Sequence, residues 1–154
     1  MARSEFAFHH RFRVRWSETD AQGVVFNARY LDYADVAVTE YWRAAKFRDY
    51  ADGAPLEFHV KKATVTWFAP IKPDELIDVM ARTVATGRTS MTQIVEIHGI
   101  TDDGSDDLRA TVDLVSVHVD LDTHRPIPLP HWVKDVFLNF DQQAATPAAV
   151  MADA

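Results

Sequence analysis

Asp20, Gly23 and Asn27 are the residues from which chemistry is most readily built. They stand together in the stretch SETDAQGVVFNARYLDY, Ser17 to Tyr33. A carboxylate can act as nucleophile or as general base. A glycine lets the backbone approach a ligand closely. Asn27 is the predicted N-cap of the helix that follows, where unpaired amides and the macrodipole favour developing negative charge. A carboxylate several residues before an amide-rich helix start suits acyl transfer: one group attacks or activates water, and the other stabilises the oxyanion. The simpler reading makes Asp20 a turn residue whose carboxylate bonds nearby amides, and Gly23 a left-handed turn position. Glu18 is close enough to share a face with Asp20.

Other catalytic signatures are absent from the sequence. It contains no GxSxG elbow, no GxxxxGK[ST] phosphate loop, no GxGxxG and no HExxH. With no cysteine there can be no disulfide, thiolate zinc site or cysteine nucleophile. The seven histidines are scattered singly, with His98 and His118 in strand patterns and His124 and His131 near prolines. They read as structural or surface residues, so no metal site is expected. TDDGSDD lacks the spaced ligands of a calcium loop and reads as a hairpin turn.

The elements that must position Asp20 follow from periodicity. From Phe6 to Trp16, apolar residues and His10 alternate with His9, Arg11, Arg13 and Arg15, which predicts a half-buried strand with a solvated arginine face. Tyr30, Tyr33, Ala34, Ala37, Val38, Tyr41, Trp42 and Ala45 recur at helical spacing. Leu31 and Val36 widen that stripe, leaving a narrow polar strip with Asp32, Asp35, Thr39 and Arg43. Such a helix should be largely enclosed. Strands are predicted over Leu56 to Pro70, Asp74 to Gly87, Arg88 to Ile100 and Leu108 to Leu121, the last three joined as hairpins. A terminal helix carries Trp132, Val133, Val136, Phe137 and Phe140, with Pro130 near its start. The order is that of an α+β fold, a curved antiparallel sheet around one long helix. Residues 1–143 make a single domain, and 144–154 read as a disordered tail. Edge strands in such a sheet would be covered by pairing with a second copy.

The chain has 154 residues, 47% hydrophobic and 25% charged, with a net charge of −7. That balance argues against nucleic-acid and membrane-surface partners, both polyanionic. No segment reads as a signal peptide or a bilayer span, so a cytoplasmic protein is the expectation.

The segment VRWSETDAQGVVFNARYLDYADVAVTEYWRA resembles the hotdog-fold acyl-CoA thioesterases of the 4-hydroxybenzoyl-CoA thioesterase type. Asp20, Gly23, Val24, Val25 and Tyr30 match their motif, and the likeness extends more weakly from about Phe12 to about Leu121. It includes the strand end from Phe68 to Pro70 and the GRTS turn. The resemblance implies hydrolysis of an acyl-CoA thioester to a carboxylic acid and free CoA, with no metal or redox cofactor. It implies Asp20 as nucleophile or general base and the backbone amide of Asn27 as oxyanion donor. It also implies a pocket between two protomers of a homodimer, commonly paired into a homotetramer, with Arg88, Thr89 and Ser90 near the pantetheine. Those three otherwise read as a β-turn and an exposed strand start. Many relatives carry histidine at the position of Asn27, and a Gly-Asp pair where this chain has Pro73-Asp74. Other hotdog thioesterases place a glutamate on the central helix, where this chain offers Asp35 and Glu40. A non-catalytic acyl-CoA-binding module is the alternative from another class. Hydration of enoyl thioesters ranks lower, because its aspartate-histidine arrangement is not evident.

Overall fold

Five strands form one antiparallel sheet: β1 (Phe8–Arg13), β2 (Glu57–Trp67), β3 (Leu76–Thr86), β4 (Ser90–Gly99) and β5 (Leu108–Val119). Their spatial order is β1-β3-β4-β5-β2. Helix α1 (Arg29–Ala44) packs on one face of the sheet, followed by the short α2 (Phe47–Ala51) and, after β5, by α3 (His131–Asp141). The computed structural model describes residues 1–144. The tail expected from 144 onward therefore lies almost wholly outside the described residues.

The core forms where the helical and strand periods meet. Tyr33, Ala34, Ala37 and Tyr41 from α1 face Ile77, Val79 and Ala81 of β3, Met91, Val95 and Ile97 of β4, and Ala110 and Val112 of β5. Ala34 and Ala37 are small enough to bring the helix backbone close to the sheet, and each large apolar side chain buried there contributes about 1.5–3 kcal/mol. Phe137 of α3 closes one end of this core against Tyr41, Trp42 and Phe47. The sequence of elements along the chain, the antiparallel sheet, the single long helix and the terminal helix agree with the sequence-based expectation, and the fold is the hotdog.

Four local expectations need correction. The first strand stops at Arg13, because Val14 turns its amide to the Glu75 carbonyl and Trp16 opens a 3₁₀ turn, 71% exposed. The helix begins at Arg29, with Ala28 as its N-cap and no side-chain cap bond. Asn27 is not the cap, because the Arg29 amide already closes a turn onto the Phe26 carbonyl. Helix α1 is less enclosed than its stripe predicts, since Leu31 and Val36 remain exposed. The arginine face is not merely solvated either. Arg11 makes two bonds to the buried carboxylate of Asp78, which Arg3 also reaches. Helix α2 carries no separate periodic signal and is not foreseen.

Strand β2 is the outer edge beside β5, and most of its residues are exposed. Val60 and Trp67 lie on it in solvent, with Phe68 just beyond. A register irregularity falls between Val60 and Lys62. Among the described residues no helix is long and apolar enough to cross a membrane.

Candidate active site

The acidic stretch folds as a miniature hairpin whose two sides meet at an antiparallel bridge between Thr19 and Val25. The Gly23 amide donates to the Asp20 carbonyl at 3.0 Å, and the Asp20 amide to the Val24 carbonyl at 2.9 Å. Gly23 has φ +77°, a left-handed conformation in which a side chain would be strained, so the glycine is required by the turn itself. The hairpin is fixed to the body of the protein at its base. Val25, buried, donates to the Ile71 carbonyl at 2.8 Å, and Phe26 donates to the Glu18 carbonyl at 2.9 Å.

The two acids of the motif are used differently. Glu18 accepts the Arg15 amide at 2.7 Å and the Tyr33 hydroxyl at 3.2 Å through one oxygen, so it is committed to the local structure. Burial, and then this carboxylate, push the Tyr33 hydroxyl far above its ordinary pKa, which keeps it a donor. Asp20 is half-buried at the tip of the hairpin, and its Oδ1 accepts the Gln22 amide at 2.8 Å. Among the described residues its other oxygen accepts nothing, and no basic side chain pairs with it. The simpler reading of Asp20 as an amide-bonding turn residue is thus correct for one oxygen. The other remains available for attack on a carbonyl or for taking a proton from water.

At the helix entrance, the amides of Asn27 and Ala28 donate to no group among the described residues. Both residues are exposed. They precede the first turn of α1, so their N–H groups add to the positive end of its dipole, a favourable place for an oxyanion. The capping shift therefore removes a side-chain role from Asn27 and leaves its backbone donor free.

The remaining sequence candidates fall into three groups. Val24, Val25 and Tyr30 support the hairpin from below: Val25 and Tyr30 are each 2% exposed, and Tyr30 packs edge-on against Trp67 at 6.1 Å. Phe68, 59% exposed, stands on the surface where β2 ends. Arg88, Thr89 and Ser90 form the β3–β4 turn, where Gly87 donates to the Ser90 carbonyl. The hairpin is attached just before β3 begins and these three follow its end, so the whole strand lies between them. Eleven residues of strand span about 35 Å. One chain does not bring Arg88, Thr89 and Ser90 to Asp20.

Two cavities flank α1, and Asp20 lines neither. One, of about 310 Å³, lies between α1 and β1 beside Arg13, Arg15, Glu18 and Tyr33. The other, of about 270 Å³, lies between α1 and the β2 side of the sheet, with Leu31, Val38, Trp42, Val60 and Leu114 on its wall and Asp35 at its rim. Glu18, at the base of the hairpin, lines the first of these cavities.

Two clusters outside the motif support the site and the core. Arg109 donates to Glu75 at 2.7 Å, to Asp107 at 2.8 Å and to the Pro70 carbonyl at 2.8 Å, beside the segment that receives Val25. Asp141, at the end of α3, accepts the Tyr41 hydroxyl through both oxygens and the Thr83 amide. The second cluster was within reach, since Asp141 continues the Val133–Phe137 face at a spacing of four. The first had no periodic signal.

Known proteins resemble this chain in sequence and in fold. The family model of the thioesterase-like superfamily matches residues 14–137. An acyl-CoA thioesterase, YbgC, of Haemophilus influenzae is 31% identical over 135 residues, 81% of this chain and 90% of that protein. The acyl-CoA thioester hydrolase YbgC of Escherichia coli O157:H7 is 34% identical over 80 residues, 51% of this chain; the match spans only 60% of that relative's length. Among solved structures, a thioesterase from Thermus thermophilus complexed with coenzyme A and zinc superposes with a TM-score of 0.74 at 25% identity, covering 90% of this chain and 97% of that one. A 4-hydroxybenzoyl-CoA thioesterase variant complexed with 4-hydroxybenzoyl-CoA shares the fold with a TM-score of 0.74 at 15% identity, over 84% and 97% of the two chains.

Proposed function

The chain belongs to the thioesterase-like superfamily, and from that premise we propose that it hydrolyses an acyl-CoA thioester to a carboxylic acid and free CoA. The observation that carries this reading is the Asp20 carboxylate with one uncommitted oxygen, held in a rigid hairpin before the open amides of Asn27 and Ala28. The thioester carbonyl oxygen is received by the Asn27 amide, where negative charge develops as the carbonyl carbon becomes tetrahedral. Asp20 either takes a proton from water as the oxygen attacks, or attacks directly to form a mixed anhydride that water then cleaves. In both routes the C–S bond breaks, the thiolate leaves as CoA, and one water is consumed. The thiolate is a competent leaving group, so the reaction needs no metal or redox cofactor.

The site is completed by a second copy. Arg88, Thr89 and Ser90 lie a strand length from Asp20 in one chain, so a pocket using both draws them from different protomers. The exposed edge β2 and the exposed Leu31, Val60, Trp67 and Phe68 supply an apolar surface for that contact. A homodimer is the minimal unit, and pairing into a homotetramer is the further assembly proposed. Gly23 gives the substrate close access to backbone, and Phe68 packs against it.

The test is thiol release by the full chain on a panel of short, medium and aromatic acyl-CoA substrates. Turnover far above spontaneous hydrolysis on at least one member is expected. Tight binding of acyl-CoA with no release on any would overturn the reading in favour of a binding module.

A further inference from the structure

Two of the histidines that the sequence scatters singly are adjacent in space. Strand alternation places Phe58 in the core, 5.3 Å from the Trp42 ring and 5.2 Å from the His118 ring. Its neighbours Glu57 and His59 therefore point together from the opposite face of β2, with His59 Nε2 3.0 Å from Glu57 Oε1. The loop after β5 folds back over that face and sets the His124 ring on the His59 ring, at 5.7 Å and 23°. One ligand-capable atom from each of Glu57, His59 and His124 lies within 4.8 Å of the others.

The loop holds His124 there by its own structure. Asp120 accepts the amides of Asp122 and Thr123 and the Thr123 hydroxyl, while the His124 amide donates to the Asp120 carbonyl at 2.9 Å. The Asp120 amide in turn donates to the Arg125 carbonyl, and Val119 bridges to Pro126. His124 itself sits at φ 57°, in the left-handed region that few residues other than glycine adopt. Asp120 shapes the loop through Oδ1, and the imidazoles of His59 and His124 are the nitrogen donors brought face to face.

We propose that Glu57, His59 and His124 form a binding site for a divalent transition metal, with zinc as the fitting ion. Two imidazole nitrogens and one carboxylate oxygen are the donor set zinc accepts, at about 2.0–2.2 Å. A tetrahedral zinc places such atoms about 3.4 Å apart, so the Glu57–His59 pair, at 3.0 Å, need open only slightly while His124 closes in. His59 is 48% exposed and Glu57 34%, which leaves a side open for a water as fourth ligand. Hard oxygen-seeking ions such as magnesium do not fit two imidazoles. A bound ion would clasp the start of β2 to the loop leading into α3. Its role is to stabilise this corner of the fold, independently of the thioester chemistry.

The experiment is calorimetric titration of zinc into the untagged, chelator-treated full chain, with thermal unfolding measured in parallel. Wild type should bind one ion per chain with an affinity on the order of micromolar or tighter, and its unfolding midpoint should rise with zinc concentration. His59→Ala and His124→Ala, both surface changes, should each weaken binding by at least about tenfold and remove the zinc-dependent shift. His131→Ala, outside the cluster, should leave both unchanged. Magnesium should give no heat. No zinc binding by wild type, or binding by His124→Ala equal to wild type, would overturn the proposal.

Discussion

The amide of Val25 donates to the carbonyl of Ile71 at 2.8 Å, and through that bond the acidic hairpin rests on the segment between β2 and β3. The same segment is gripped by Arg109, which reaches the Pro70 carbonyl, Glu75 and Asp107 at once. Both carboxylates and the shielded position raise a clear expectation for its removal. Arg109→Met should lower stability by roughly 2–4 kcal/mol, because it leaves Glu75 and Asp107 facing each other without their cation. Its effect on turnover should be secondary, about tenfold, through misplacement of the hairpin. Denaturant unfolding and thiol release on the same preparation separate the two effects.

Tyr41 and Asp141 give a pH-dependent prediction. Burial raises the Asp141 carboxyl above the usual aspartate range, against the opposing bonds from the Thr83 amide and the Tyr41 hydroxyl. The folded chain therefore keeps this proton to a higher pH than the unfolded chain does. Its contribution to stability is full below about pH 3.9 and is lost as pH rises through the raised folded value. Asp141→Asn, which cannot ionise, should gain on wild type as pH rises from about 4 to about 7. Asp78 titrates in the opposite sense, its burial outweighed by bonds from Arg11 and Arg3, and cancels in the comparison. Urea midpoints of both proteins across that range test the sign. Asp141→Ala, which leaves the Thr83 amide without its acceptor and the Tyr41 hydroxyl with the Thr83 hydroxyl alone, should cost about 1–3 kcal/mol at any pH.

Periodicity made the fold legible. The alternation from Phe6 to Trp16, and the spacing of Tyr30, Tyr33, Ala37 and Tyr41, each report which side chains face one core. The motif Asp20 to Tyr30 was legible for a different reason: a carboxylate, a glycine and a helix start close in sequence are also close in space. What stayed hidden depends on long-range contacts. Arg109 meets Glu75 across 34 positions, and His59 meets His124 across 65, with no local pattern to announce either. The cap failed for a local reason, since the Phe26–Arg29 turn starts the helical path one residue later than the asparagine suggests.

Association should follow from the apolar edge. Val60, 59% exposed on β2, shares a cavity wall with Leu31 of α1. Val60→Glu should shift the chain toward monomer, because a charge on a surface buried between copies is costly to desolvate. Sedimentation should show at least a dimer for wild type at micromolar concentration, and the variant should lose turnover in step with assembly. A stable monomer with full activity would remove the shared-site arrangement.

The most direct measurement compares Asp20→Asn with wild type. Asparagine keeps the shape of the side chain and can still accept the Gln22 amide, but it is a far poorer base and nucleophile. Turnover, read as thiol release on the best acyl-CoA substrate, should fall at least about a hundredfold. Acyl-CoA affinity and the unfolding midpoint should change little. Asp35→Asn and Glu40→Gln should reduce turnover much less. Near-normal turnover by Asp20→Asn would contradict the account, making Asp20 a turn residue only and moving the chemistry to the carboxylates of α1.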